Sequence, residues 1–162
     1  MTETSPREEL ISLALADAVR MAALHETAFP SGQAWDAQQF EDLLKQDSVS
    51  ARALSCGNDI LSFVLLQVAV DEAEILTLAT ALSARRRGCA ARLLHGVESD
   101  LADRGIARWL LDVAEDNAGA LRFYQNNGFG IDGRRRDYYQ RLEGQRVDAI
   151  LMSKPMARQV AT

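Results

Sequence analysis

The chain carries only two cysteines, Cys56 and Cys89, and two histidines, His25 and His95, in 162 residues. Thiols this few exclude a disulfide scaffold, and their distance from each other and from the histidines offers no zinc spacing, so no metal is expected. Lysine occurs only at Lys45 and Lys154, which leaves arginine to carry the positive charge. A net charge of −5 argues against broad nucleic-acid binding, and the local clusters Arg85 to Arg87 and Arg134 to Arg136 suit a small polyanion better than a long one. Long apolar runs are missing as well: Ile60 to Leu66 is far too short for a membrane span and contains Ser62. Met1 to Glu9 is polar and acid-leaning, unlike a signal peptide. Together these absences predict a cytoplasmic protein in a reducing compartment, with no membrane partner and no direct nucleic-acid partner. Two phosphate loops are absent too: there is no G-x-x-x-x-G-K-[ST] and no G-x-G-x-x-G, the next glycine after Gly88 being Gly96.

A hydrophobic fraction of 48% and a charged fraction of 25% are those of an ordinary globular protein, and 162 residues suit one domain, 1–162, with an ordered core over about 10–155 and frayed ends. Leu10 to Leu15 reads as a strand, and Asp17 to Thr27 as a helix with Val19, Met21 and Leu24 at helical spacing. Asp36 caps a second helix carrying Phe40, Leu43 and Leu44. Val49 to Cys56 and Ile60 to Val70 form a hairpin about Gly57-Asn58-Asp59, and Ala73 to Ala81 adds a third meander strand. A helix burying Leu93, Leu94, Val97 and Leu101 stops at Arg104-Gly105. The strand Trp109 to Val113 follows, then a helix capped by Asn117 and closed by Asn126-Asn127-Gly128. Phe129 to Ile131, Tyr138 to Leu142 and Val147 to Met152 read as strands of a C-terminal hairpin around Glu143-Gly144. The order predicts a mixed α/β fold in which the crossover helix makes the strand at Trp109 parallel to the strand at Leu78.

The run Arg85-Arg86-Arg87-Gly88-Cys89-Ala90 lies where a strand feeds a helix. The first turn of a helix offers unpaired N–H groups and the positive end of the dipole, so taken alone the run reads either as an anion site or, with arginine common throughout the chain, as a solvated basic loop. The run resembles the Gln/Arg-x-x-Gly-x-Gly/Ala acyl-coenzyme A motif of the GNAT N-acetyltransferases. Leu111-Asp112-Val113, Asn117, Ala120, Phe123-Tyr124 and Gly128-Phe129 are similar to the second half of that family's pattern. Within the family the chain looks most like the ribosomal-protein-alanine N-acetyltransferases, the RimI type. The segments carrying that likeness are Phe29-Pro30, Trp35, Asp71-Glu72-Ala73-Glu74, Arg135-Arg136-Asp137-Tyr138-Tyr139 and Asp148-Ala149-Ile150-Leu151-Met152.

The resemblance implies a central, mostly antiparallel sheet of about six to seven strands with about four helices on both faces, and acetyl-CoA as cosubstrate. It implies that Leu78, Ala79 and Thr80 present backbone to the pantetheine and thioester. The N–H groups of Arg86, Arg87, Gly88, Cys89, Ala90 and Ala91, with Arg85 beside them, would hold the pyrophosphate, and Asn117 would contact the pantetheine arm. Tyr124 falls where the family places the acid that protonates the thiolate. Asp112 stands where this type carries a glutamate base; being one methylene shorter, by roughly 1.5 Å, it would act through a water or leave the proton to solvent. One of Tyr138 and Tyr139, which alternate across a strand, is expected to line the acceptor groove, and Trp35 either walls that groove or covers the core. Asp71, Glu72 and Glu74 read as a solvated turn able to attract a basic peptide. The implied partner is a protein N-terminus, that of a ribosomal protein, met by a monomer or weak dimer. A lysine side chain or small-molecule amine as acceptor, and a non-catalytic coenzyme A sensor, stay open.

Overall fold

Residues 4–156 are described by the computed structural model, and the remaining termini, where frayed ends are expected, lie outside it. Seven strands form one sheet in the order β1-β2-β3-β4-β5-β7-β6. They are β1 (Glu8–Leu13), β2 (Val49–Cys56), β3 (Asp59–Ala69), β4 (Glu72–Thr80), β5 (Arg108–Ala114), β6 (Gly130–Gln140) and β7 (Arg146–Pro155). Helices α1 (Ala18–Ala28) and α2 (Ala37–Leu44) come between β1 and β2, while α3 (Cys89–Asp103) and α4 (Ala118–Asn126) flank β5 in sequence. All strand pairs are antiparallel except β4 with β5.

Each face of the sheet carries its own core. Met21 of α1 and Phe40 of α2 pack with Ala51, Ala53, Phe63 and Leu65 on one face. On the other, Leu93, Leu94, Val97 and Leu101 of α3 pack with Trp109, Leu111, Val113, Tyr124 and Met152. The i, i+1, i+4, i+8 spacing of the four α3 residues makes one apolar stripe, and burying each contributes roughly 1.5–3 kcal/mol. The caps are local and form as expected: Asp36 accepts from the Gln39 N–H while the Gln39 side chain accepts from the Asp36 N–H, and Asn117 accepts from the Ala120 N–H.

Three expectations need correction. The first strand runs from Glu8 to Leu13, and Leu15 belongs instead to a single 3-10 turn that leads into α1. In α1 the inward positions are Ala18, Met21 and His25, while Val19 is 67% exposed. Phe129 to Ile131 and Tyr138 to Leu142 are not separate strands, because Gly130 to Gln140 is one strand pairing with β7 through two irregularities, between Ile131 and Gly133 and between Arg135 and Tyr139. The charged stretch in its middle belongs to a sheet edge, where polar side chains face water, and Asp137 takes a positive φ of 53° at the second irregularity.

The parallel pair positions the site. Glu72, Ala73 and Glu74 pair with Arg108, Trp109 and Leu110, and the ladder stops there. On its other side β4 has an extra residue, Leu76, between the pairs Leu66–Ile75 and Leu65–Thr77, and such a bulge bends a strand. Beyond Glu74 the two strands part, so the β5-facing edge of Ile75 to Thr80 has no ladder partner among the described residues.

Candidate active site

The opening between β4 and β5 leads into a cavity of about 1070 Å³. That is the scale of a site for a large cofactor-like molecule. One half of it is built from backbone. Leu78, Ala79 and Thr80 line it from the free edge of β4, and Arg85, Arg86 and Ala90 line it where α3 begins. Arg86 at φ 62° and Gly88 at φ 74° are left-handed, and together they turn the chain from the end of β4 into the first helical residues. The side chain of Arg92 braces this turn: Nη1 donates to the Arg87 carbonyl at 2.7 Å, while Nε and Nη2 donate to the Glu8 carboxylate at 3.0 and 2.8 Å. Asn117 lines the same half while capping α4.

The other half is built from side chains. Tyr124 of α4 is 7% exposed, packs edge-on to Phe123 and Phe129, and lines the cavity. Burial pushes its phenol upward, so the hydroxyl keeps its proton. Asp112 reaches the cavity from β5, and its Oδ1 accepts from the Tyr139 hydroxyl at 2.7 Å. Tyr139 lines the cavity and Tyr138 does not: Tyr138 is 51% exposed, beneath the Arg135 guanidinium at 5.4 Å. Arg141 lies 5.6 Å from the Tyr139 ring and holds Asp116 with two bonds of 2.9 and 2.8 Å. Glu74 lies within the expected strand, on β4 opposite Leu110, exposed and on the face that carries Asp112. Its carboxyl is raised by partial burial and by Asp112, with Arg135 opposing.

His25 is a core residue that also lines this half. Its Nδ1 accepts the Trp35 N–H at 3.0 Å, so Nε2 carries the proton and donates to Thr77 Oγ1 at 2.8 Å. The ring stacks on Phe29 at 4.1 Å and on Trp35 at 5.4 Å. One neutral imidazole thus joins α1, the loop carrying Trp35, and β4. Burial lowers its pKa to about 4.

Residues 17–129 match the Acetyltransferase (GNAT) family. The chain belongs to this family. The [ribosomal protein bS18]-alanine N-acetyltransferase of Escherichia coli K12 is 34% identical over 104 residues, which are 64% of this chain and 70% of that protein. The crystal structure of the Escherichia coli ribosomal-protein-S18-alanine N-acetyltransferase superposes with a TM-score of 0.83 at 26% identity, covering 96% of this chain and all of that one. Arabidopsis thaliana NAA60 with a bisubstrate analogue shares the fold, with a TM-score of 0.79 at 19% identity over 94% of this chain and all of that one. The protein is therefore an acetyl-CoA-dependent GNAT N-acetyltransferase with the mixed, mostly antiparallel sheet expected. The backbone half of the cavity fits such a donor: unpaired strand edge for an amide-bearing arm, and a left-handed turn opening a helix for phosphates.

Of the residues singled out from sequence, the fold brings Trp35, Leu78, Ala79, Thr80, Arg85, Arg86, Ala90, Asp112, Asn117, Tyr124 and Tyr139 to one cavity. Arg87, Gly88, Cys89, Ala91 and Tyr138 are not among its lining residues. Cys89 is 1% exposed, beneath the α3 turn. Sequence reading passed over His25, Asp116 and Arg141 as site residues. Arg141 carries a signal, since it stands two residues from Tyr139 at the end of a strand, where i and i+2 share a face. His25 carries none, because its partners are 10 and 52 residues away. Among the described residues no cluster of metal-ligating side chains occurs, and no helix is long and apolar enough to cross a membrane.

Proposed function

We propose that the protein transfers acetyl from acetyl-CoA to the α-amine of a protein N-terminus, that of a small-subunit ribosomal protein beginning with alanine. The observation that carries this is the convergence of Asp112 from β5 and Tyr124 from α4 on the cavity bordered by the open edge of β4. The likeness to the bS18-alanine N-acetyltransferase of Escherichia coli supports the acceptor. An N-terminal amine, which ordinarily titrates at about 7.7–8.0 against about 10.4 for lysine, needs only a weak base to become nucleophilic. In this reading Asp112 serves as that base, and the amine attacks the thioester carbonyl directly. Backbone N–H groups on the β4 edge face the developing oxyanion. When the C–S bond breaks, the thiolate takes the Tyr124 proton, and solvent restores it. Cys89, buried beneath the α3 turn, supports direct attack over an acetyl-cysteine intermediate.

A peptide with a free N-terminal alanine is expected to be acetylated and its N-blocked form is not, as read by mass spectrometry. Acetylation of both forms would overturn the α-amine assignment.

A further inference from the structure

Asp112 is short for a base that must reach a bound amine, and its Oδ1 already has a partner. That partner is Tyr139, which comes from the edge strand β6, passes β7, and meets β5. The cross-strand pairs of the two residues, Val147 and Leu151, are four positions apart on β7, so the tyrosine lies diagonally over the sheet. Its hydroxyl sits 2.7 Å from the carboxylate, and both residues line the acceptor half of the cavity. This exceeds the roughly 1.5 Å that Asp112 lacks relative to glutamate.

We propose that Tyr139 is a catalytic residue, taking the proton of the attacking amine on its phenol oxygen while handing its own to Oδ1 of Asp112. The inference rests on the acetyl-transfer reading above, keeps Asp112 as the final proton acceptor there, and puts Tyr139 in the place of the water that the short carboxylate would otherwise need. A phenol has one proton to give and two lone pairs to receive with; the proton is spent on Asp112, and the oxygen makes no other hydrogen bond among the described residues. The balance closes within the site. As the C–N bond forms, the carbonyl π pair moves to oxygen, and the nitrogen proton passes to Tyr139 Oη. The original Tyr139 proton passes to Asp112, so the phenol ends neutral and Asp112 ends as the acid.

A relay works only if its middle member is held still and never leaves as an anion, and the surroundings meet both conditions. Arg141, fixed by its two bonds to Asp116, lies over the Tyr139 ring, and Tyr138 packs edge-on at 5.1 Å. Burial first, and then the Asp112 carboxylate, push the phenol upward, so it stays protonated until Asp112 takes its proton. Glu74 on β4 feels the Asp112 charge and Arg135 on β6 opposes it, and among the described residues neither hydrogen-bonds to Asp112 or Tyr139.

Four variants test the relay: Tyr139→Phe, Asp112→Asn, both together, and Asp112→Glu in the Tyr139→Phe background. All are read on whichever amine the native enzyme acetylates, so a wrong acceptor assignment leaves the relay test intact. Acetyl-CoA affinity of each variant checks the fold. Each single loss should lower kcat/KM about 100-fold, the double variant should lose no more than about threefold beyond either single, and the longer glutamate should recover at least about tenfold because it reaches the amine unaided. Tyr139→Phe retaining more than about a third of kcat/KM, a double loss equal to the product of the singles, or no recovery with glutamate would each overturn the relay.

Discussion

The two halves of the cavity are made of different material. The half proposed for the donor, the donor half, is main chain: the β4 edge beside the Leu76 bulge, and the α3 turn made by Arg86 and Gly88. The half proposed for the acceptor, the acceptor half, is side chain: Trp35 bonded to His25, Tyr139 bonded to Asp112, and Arg141 over the Tyr139 ring. Backbone donors do not titrate and do not depend on side-chain identity beyond what lets the chain turn. Side-chain networks do both, so acidity and conservative substitution should strike the acceptor half first.

His25 gives the largest separation. Its pKa is about 4 when folded, against about 6.5 when unfolded. Between these values the unfolded chain binds more protons than the native one, so stability is fully present above pH 6.5 and falls as the pH drops toward 4. From pH 7 to pH 5 the loss is about 1.8 kcal/mol, or roughly twentyfold in the unfolding constant. Urea unfolding of the native protein and of His25→Gln at both pH values measures it. An equal fall in both proteins would show that the imidazole is not the sensor.

How much of this was legible in the sequence follows the same division. The donor half is local: a strand, a glycine turn and a helix lie within Glu72 to Asp103, and the Asn117 cap needs only Ala120 three residues on. Adjacent residues determine each part, so pattern reading located them. The parting of β4 from β5 was not visible, because the bulge beside it is defined by pairing with β3. Nor was β6 visible as one strand. Its arginines resemble a loop until neighbouring strands supply partners, Arg134 being held by Glu115 just after β5 and by Asp148 of β7 at 2.7 and 2.8 Å. Tyr139 and Asp112 are 27 residues apart and meet only by a diagonal crossing that no spacing encodes. Sequence could name both residues and could not join them.

Tyr124 lines the cavity from the side-chain half, and Tyr124→Phe asks whether it acts or packs. The ring keeps its place between Phe123 and Phe129, while the hydroxyl makes no hydrogen bond among the described residues, so its removal costs packing little. A thiol pKa near 8.5 makes thiolate a fair leaving group without full protonation, which holds the expected loss in kcat to about tenfold. Acetyl-CoA affinity should stay within about twofold. Unchanged kcat would make Tyr124 a core aromatic and leave the donor half without a proton source.

The smallest effect is expected where the donor half relies on a residue for its lack of a side chain. Gly88 has φ 74°, and a methyl group added there would meet Nη1 of Arg92 at 3.1 Å. That atom ends a flexible side chain and can move, so the cost is mainly that of a left-handed alanine, about 1 kcal/mol. The turn can relieve this strain by rotating its N–H groups away from a bound phosphate. Gly88→Ala should therefore weaken acetyl-CoA binding about fivefold, with kcat at saturation and peptide KM unchanged. A rise in peptide KM with acetyl-CoA affinity intact would break the division, because it would place the α3 turn in the acceptor half and make the two ends of the cavity one cooperative unit.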